Sequence, residues 1–166
     1  LRCSALLAVM LGVASQLVAN TIHHEGADYW AYRIDPKKEQ LELFLGLAKG
    51  SANKFQLVEK QLNRENKRLK FAVNAGICEP DFMPTGLHVS EGRTIVNLNL
   101  KDFKKTRQGE FTPNFYLKPN GVFYLLNDGS TGIVESSRLT SLQLSSPIRV
   151  ANQSGPLLVA GGKIHP

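Results

Sequence analysis

The sequence predicts an α+β fold, an antiparallel, hairpin-rich sheet with one main helix packed on it. Three observations carry this. The strongest helical pattern is confined to about Ala52–Lys67, and everything from Phe71 onward reads as short strands. Four dipeptides, Glu91-Gly92, Asn120-Gly121, Asp128-Gly129 and Gly161-Gly162, punctuate those strands. Such pairs supply the positive φ angles that two-residue hairpin turns require.

The N-terminus reads differently. Arg2 precedes a ten-residue apolar run, Ala5–Ala14, followed by small residues at Ser15 and Ala19. This is the layout of a secretory signal peptide, expected over residues 1–19 with cleavage between Ala14 and Asn20. An uncleaved anchor is the competing reading, although the run falls short of the ~20 apolar residues that span a bilayer. No second run of this kind follows, so no stable membrane insertion is expected after cleavage. Residues 20–27 are expected to be a flexible mature N-terminus, and residues 28–166 the folded domain.

Within that domain, Asp28–Asp35 and Leu41–Leu47 read as two strands. The second carries Leu41, Leu43, Leu45 and Leu47 at period two, the mark of a half-buried strand. Pro36 and the charged residues Lys37–Glu39 form the turn between them. Ser51 is placed to cap the helix, and Phe55, Val58 and Leu62 form one apolar stripe along it. Basic residues gather toward the C-terminal end, where the helix dipole favours them. Leu69–Val73 then reads as a strand running into Asn74-Ala75-Gly76. The pairs Leu87–Val89 with Thr94–Leu98, and Phe115–Leu117 with Val122–Leu126, read as hairpins, with further hairpins at Asp128-Gly129 and Gly161-Gly162.

Composition excludes some classes of function. With 42% hydrophobic and 20% charged residues the chain is an ordinary globular one. Its net charge is +6, or +5 once Arg2 is removed, and the basic pairs Lys37-Lys38, Lys67-Arg68 and Lys104-Lys105 lie in separate segments. They lack interleaved aromatic residues, so no nucleic-acid partner is expected, only mild attraction to anionic polymers. Cleavage would leave Cys78 as the single cysteine of the mature chain, a small buried residue rather than a nucleophile. The histidines show no ligand spacing, and neither metal nor cofactor is expected.

Four stretches taken in order resemble the bacterial phosphodiester glycosidase family, relatives of the enzyme that removes N-acetylglucosamine from a mannose 6-phosphate diester. They are Asn74-Ala75-Gly76; Pro84-Thr85-Gly86-Leu87; Asn114-Phe115-Tyr116-Leu117-Lys118-Pro119-Asn120-Gly121-Val122-Phe123-Tyr124; and Gln153-Ser154-Gly155-Pro156 with Gly162-Lys163-Ile164-His165-Pro166. The likeness runs from about Asp28 to the last residue. It departs at Ile77-Cys78, where the family has Met and an aromatic, at Pro113 in place of Gly, and at Asn152 in place of Thr. In the family an Arg-containing strand and a Leu-Asp-Gly loop follow the His-Pro element, so the domain is expected to be incomplete at its C-terminus.

The resemblance implies an exported hydrolase that cleaves a sugar-1-phosphodiester linkage, with an anionic glycan or sugar phosphodiester as partner. A non-catalytic glycan-binding module and an inactive truncated product are the alternatives. Such a substrate needs donors for its phosphate and carboxylates for its anomeric bond. Asn74, Glu79 and Asp81 are the expected catalytic residues, between a strand and a Pro/Gly-rich loop. For Glu79 and Asp81 solvated loop charges are the competing reading, and for Asn74 a turn residue satisfying backbone groups. The expected substrate-binding residues are Gly76, Gly86, Asn114, Lys118, Gln153, Ser154, Gly155 and His165. A strand through Phe115–Leu117 would set Asn114, Tyr116 and Lys118 on one face. Ser154 lacks the Gly-x-Ser-x-Gly elbow of a nucleophile and is read as part of an anion-binding bend.

Overall fold

The computed structural model describes residues 5–11, 19–45, 54–105, 107 and 109–164. In chain order the elements begin with β1 (Ala5–Leu11), β2 (Ala19–His24), β3 (Ala27–Tyr32), β4 (Glu39–Phe44), α1 (Lys54–Arg64) and β5 (Leu69–Ala75). They continue with β6 (His88–Ser90), β7 (Arg93–Val96), β8 (Gly121–Leu126), β9 (Thr131–Glu135), β10 (Ile148–Ser154), β11 (Val159–Ala160) and β12 (Lys163–Ile164). The protein is therefore α+β, with antiparallel pairing throughout and one main helix.

Two sheets stack. One is three-stranded in the order β4-β1-β5, the other five-stranded in the order β7-β6-β10-β8-β9. Leu41 and Leu43 of β4 meet Leu125 of β8 and Val150 of β10, with Phe71, Ala75 and Phe123 closing around them. Helix α1 covers the other face of the smaller sheet, where Val58 and Leu62 are fully buried against Phe44. β4 is thus buried on both faces, which is why its apolar run includes Phe44 as well as the alternating leucines. Leu87, Val89, Val122 and Ala151 form a third cluster with Leu139, from the 3-10 turn Ser136–Ser141.

Several expectations are corrected. The helix begins within the described residues at Lys54; Ser51 and Leu47 lie outside them. Phe55 is 47% exposed, so the buried stripe is Val58 and Leu62 alone. Phe115 is not in a strand: Asn114–Tyr116 is a 3-10 turn, with Phe115 buried and Tyr116 packed on Phe103 at a centroid distance of 5.4 Å. Asn120 makes no hairpin turn either. Its buried Nδ2 donates to the Phe115 carbonyl at 3.1 Å and holds the 3-10 turn against the start of β8. The hairpins at Glu91-Gly92, Asp128-Gly129 and Gly161-Gly162 form as expected, with positive φ at Glu91 (51°), Gly92 (74°), Gly129 (84°), Gly161 (56°) and Gly162 (75°).

Ala5–Leu11, the apolar run read as the core of a signal peptide, pairs antiparallel with β4 on one side and β5 on the other. Residues 20–27, expected to be a flexible mature N-terminus, form most of β2, a turn at Glu25 (φ 48°) and Gly26 (φ 77°), and the first residue of β3. The Glu-Gly pair that marks the turn between β6 and β7 occurs here too, and carries the same geometry. Cys78 is disulfide-bonded, which corrects its reading as a lone thiol; Cys3 lies outside the described residues.

Candidate functional site

Side chains alternate across a strand, so β10 divides its residues between two environments. Val150, Asn152 and Ser154 face the smaller sheet, whereas Ala151 and Gln153 face away from it. β8 does likewise, turning Phe123 and Leu125 toward the inter-sheet core. Beyond Leu43 and Phe123 that core opens into a cleft of about 270 Å³. Asn74 and Gly76 line it from the end of β5, and Asn152, Ser154 and Gly155 from the end of β10; its apolar walls include Phe123, Ile133 and Leu157.

Four of the expected residues, Asn74, Gly76, Ser154 and Gly155, thus meet in one cleft although about half the chain separates the two pairs. Gly76 sits at φ 61°, and a Cβ there would collide with the Asn152 side-chain amide. Glycine is needed both for the backbone conformation and for this approach. Gly76→Ala is expected to displace Asn152 and to cost about 1–3 kcal/mol in stability, read as a lowered urea midpoint. An unchanged midpoint would show that the contact yields freely. Gly155 is equally tight: a Cβ would lie 2.8 Å from Asn120 Cβ and 3.0 and 3.2 Å from the carbonyl oxygens of Phe115 and Asn114.

Asn114 packs its backbone carbonyl beside Gly155 rather than lining the cleft. Its side chain is exposed and does not line the cleft, because the 3-10 turn replaces the strand that would have aligned it with Lys118. Lys118 points elsewhere. Its Nζ donates to the Lys101 carbonyl at 3.4 Å and lies 3.8 Å from Asp102. Glu79 and Asp81 are exposed in a tight turn outside the cleft lining. The Asp81 carboxylate accepts from Met83 N–H at 3.0 Å, and Glu79 N–H donates to the Met83 carbonyl at 2.9 Å. Asp81 thus does the local work of a turn residue. His165 lies outside the described residues.

Gln153 and Gly86 are corrected as substrate contacts. Gln153 is 1% exposed on the opposite face of β10. Its Oε1 accepts from the backbone N–H groups of Leu87 (2.9 Å) and Asn99 (3.0 Å), and its Nε2 donates to the Asn99 carbonyl (2.7 Å) and Ser136 Oγ (3.1 Å). Gly86 is buried beside that amide, where a Cβ would strike Gln153 and lie 2.7 Å from Phe115 Cζ. Both residues brace the strand that presents Ser154. Asn152, by contrast, is a cleft residue and not only a departure from the family pattern. Period two from Ser154 was the signal that could have found it.

The cleft can therefore offer a hydroxyl, two amides and an apolar wall, a small set of orienting polar groups in an otherwise apolar pocket. Among the described residues no carboxylate, Lys or Arg lines it. No group of three or more His, Cys, Asp or Glu among the described residues is placed to hold a metal ion.

The chain is 34% identical over 137 residues to the uncharacterized protein YigE of Escherichia coli (strain K12), a match covering 82% of this chain and 49% of that protein. The chain thus spans about half the length of the curated relative it matches. No protein-family profile matches the sequence, and no solved structure does.

Proposed function

We propose that the protein is an exported hydrolase of glycosyl phosphodiesters, binding a sugar-1-phosphodiester of an anionic glycan in the cleft between β5 and β10. The observation that carries this reading is the meeting of Asn74 and Gly76 with Ser154 and Gly155, drawn from distant parts of the chain. In it, the Ser154 hydroxyl and the Asn74 and Asn152 amides donate to phosphate or sugar oxygens, and the wall around Phe123 takes a sugar face. Export rests on the signal-like pattern of Arg2 and the apolar run Ala5–Ala14. Among the described residues no helix is long and apolar enough to cross a membrane.

A second reading, a glycan-binding module without chemistry, is favoured by one observation: no carboxylate lines the cleft among the described residues. A nitrophenyl phosphodiester of N-acetylglucosamine separates the two. Turnover that falls at least about tenfold in kcat/KM in Ser154→Ala, the loss of roughly one hydrogen bond to a charged group, is the expected result. Binding without turnover assigns the module. Absence of both removes the cleft from consideration.

A further inference from the structure

The cleft is divided by chemistry. Its polar side chains, Asn74, Asn152 and Ser154, come from the ends of β5 and β10. Strand register fixes what lies next to them. Asn152 pairs with Phe123 of β8, and Phe123 with Ile133 of β9; in the adjoining row Ser154 pairs with Gly121 and Gly121 with Glu135. From β10 outward the cleft is therefore lined by Gly121, Phe123 and Ile133, none of which carries a hydrogen-bonding side chain. Leu157 lies across the space that Gly121 leaves: a Cβ there would come within 2.9 Å of Leu157 Cδ1. Neighbouring strands are about 4.8 Å apart, so Ile133 stands about 10 Å from Asn152 across the sheet.

Val134 packs into the opposite cluster with Leu87 and Val122, so alternation turns Ile133 toward the cleft. Ile133 is nonetheless 68% exposed, an apolar side chain open to solvent where the cleft begins. The next residue on that face, Glu135, lies outside the cleft lining and accepts from Ser137 Oγ at 2.6 Å. Beyond Leu157 the chain runs directly into more exposed apolar residues, Leu158 and Val159, and Val159 pairs with the exposed Ile164.

A phosphodiester carries a group on each side of its phosphate. With the hydroxyl and the two amides engaged by phosphate and sugar, and the sugar face on Phe123, Ile133 and Leu157 remain for the alcohol of the second ester. A sugar or polyol there would bring hydroxyls that find no partner on these side chains, and would lose water without replacing it. A second phosphate would find no Lys or Arg in the lining among the described residues. An alkyl chain gains from the same surroundings, about fourfold in affinity for each methylene buried.

We infer that the cleft selects diesters whose second alcohol is an alkyl chain, taken by Ile133 and Leu157; this rests on the reading of the cleft as a sugar-1-phosphodiester site. The glycan then extends from the sugar and the apolar alcohol from the phosphate, the two ends of a lipid-linked glycan.

Octyl and glyceryl diesters of N-acetylglucosamine 1-phosphate, made with a methylene in place of the anomeric oxygen so that this bond is not cleaved, differ in that alcohol alone. Calorimetric titration of the whole chain is expected to favour the octyl compound at least about tenfold, the gain from roughly two buried methylenes. Ile133→Ser, at an exposed position, should cut that ratio at least about threefold. Ser154→Ala should weaken both compounds alike and preserve the ratio. Equal affinities, or a preference for the glyceryl compound, would overturn the alkyl assignment and leave the phosphodiester reading standing. An octyl preference that Ile133→Ser does not move, or octyl binding indifferent to Ser154→Ala, would place the chain on another apolar surface and overturn the assignment as well. Binding of neither compound would remove the phosphodiester reading itself, and this inference with it.

Discussion

Replacing Gln153 with Leu is expected to unfold the protein or bring it close to unfolding. The substitution keeps the volume but strands two backbone N–H groups, one carbonyl and one hydroxyl in a site that is 1% exposed. At about 1–3 kcal/mol for each buried group left unsatisfied, the loss is on the order of 4 kcal/mol or more. A domain of this size has only about 5–15 kcal/mol in total. A thermal melt followed by circular dichroism should show a midpoint lowered by roughly 10 °C, or no cooperative transition. A Gln153→Leu melt within about 2 °C of the parent, less than 1 kcal/mol, would mean that the amide is not what holds β10 to the loop through Asn99.

The second large effect concerns the N-terminus. Deleting residues 1–18 removes β1, which has six residues in register with β4 and six with β5. Both neighbours would then present unpaired backbone groups where a ladder had been, and the smaller sheet would lose its central strand. With each ladder bond contributing about 1 kcal/mol net, the loss is comparable to the whole stability of the domain. The truncated chain is expected to lose its cooperative melt and to bind a dye that reports exposed apolar surface. A truncated chain that melts as the parent does would instead assign the segment as a removable leader. The intact mass of the protein recovered from the cells that produce it gives an independent answer, since cleavage between Ala14 and Asn20 yields nearly the same species.

Much of the fold was legible because its signals are local. Glu91-Gly92, Asp128-Gly129 and Gly161-Gly162 specify positive φ angles that a hairpin needs, and each turned where the dipeptide placed it. Leu41 and Leu43 alternate because a strand buries every second residue, and both lie in the inter-sheet core. Asn120-Gly121 misled for an equally physical reason. The same pair suits a turn, but here the Asn120 amide is used to hold the Phe115 carbonyl, and the residues before it coil into a 3-10 turn. The Ala5–Leu11 run was ambiguous from the start. Apolar residues in a short run serve an export signal and a strand equally well, and only partners on both sides distinguish them.

For the candidate site, the residue types and their order were visible in the chain, and so were the glycines that close approach requires. Which of them share a cleft was not. Strand alternation separates Ser154 from its neighbour Gln153, and sheet stacking brings Asn74 to Ser154. The positive φ at Gly76 and the packing of Gly155 against the 3-10 turn complete that arrangement. Local chemistry acts over a few residues and can be read from sequence. Convergence depends on the register and packing of strands far apart in the chain, and that is settled only when the two sheets meet.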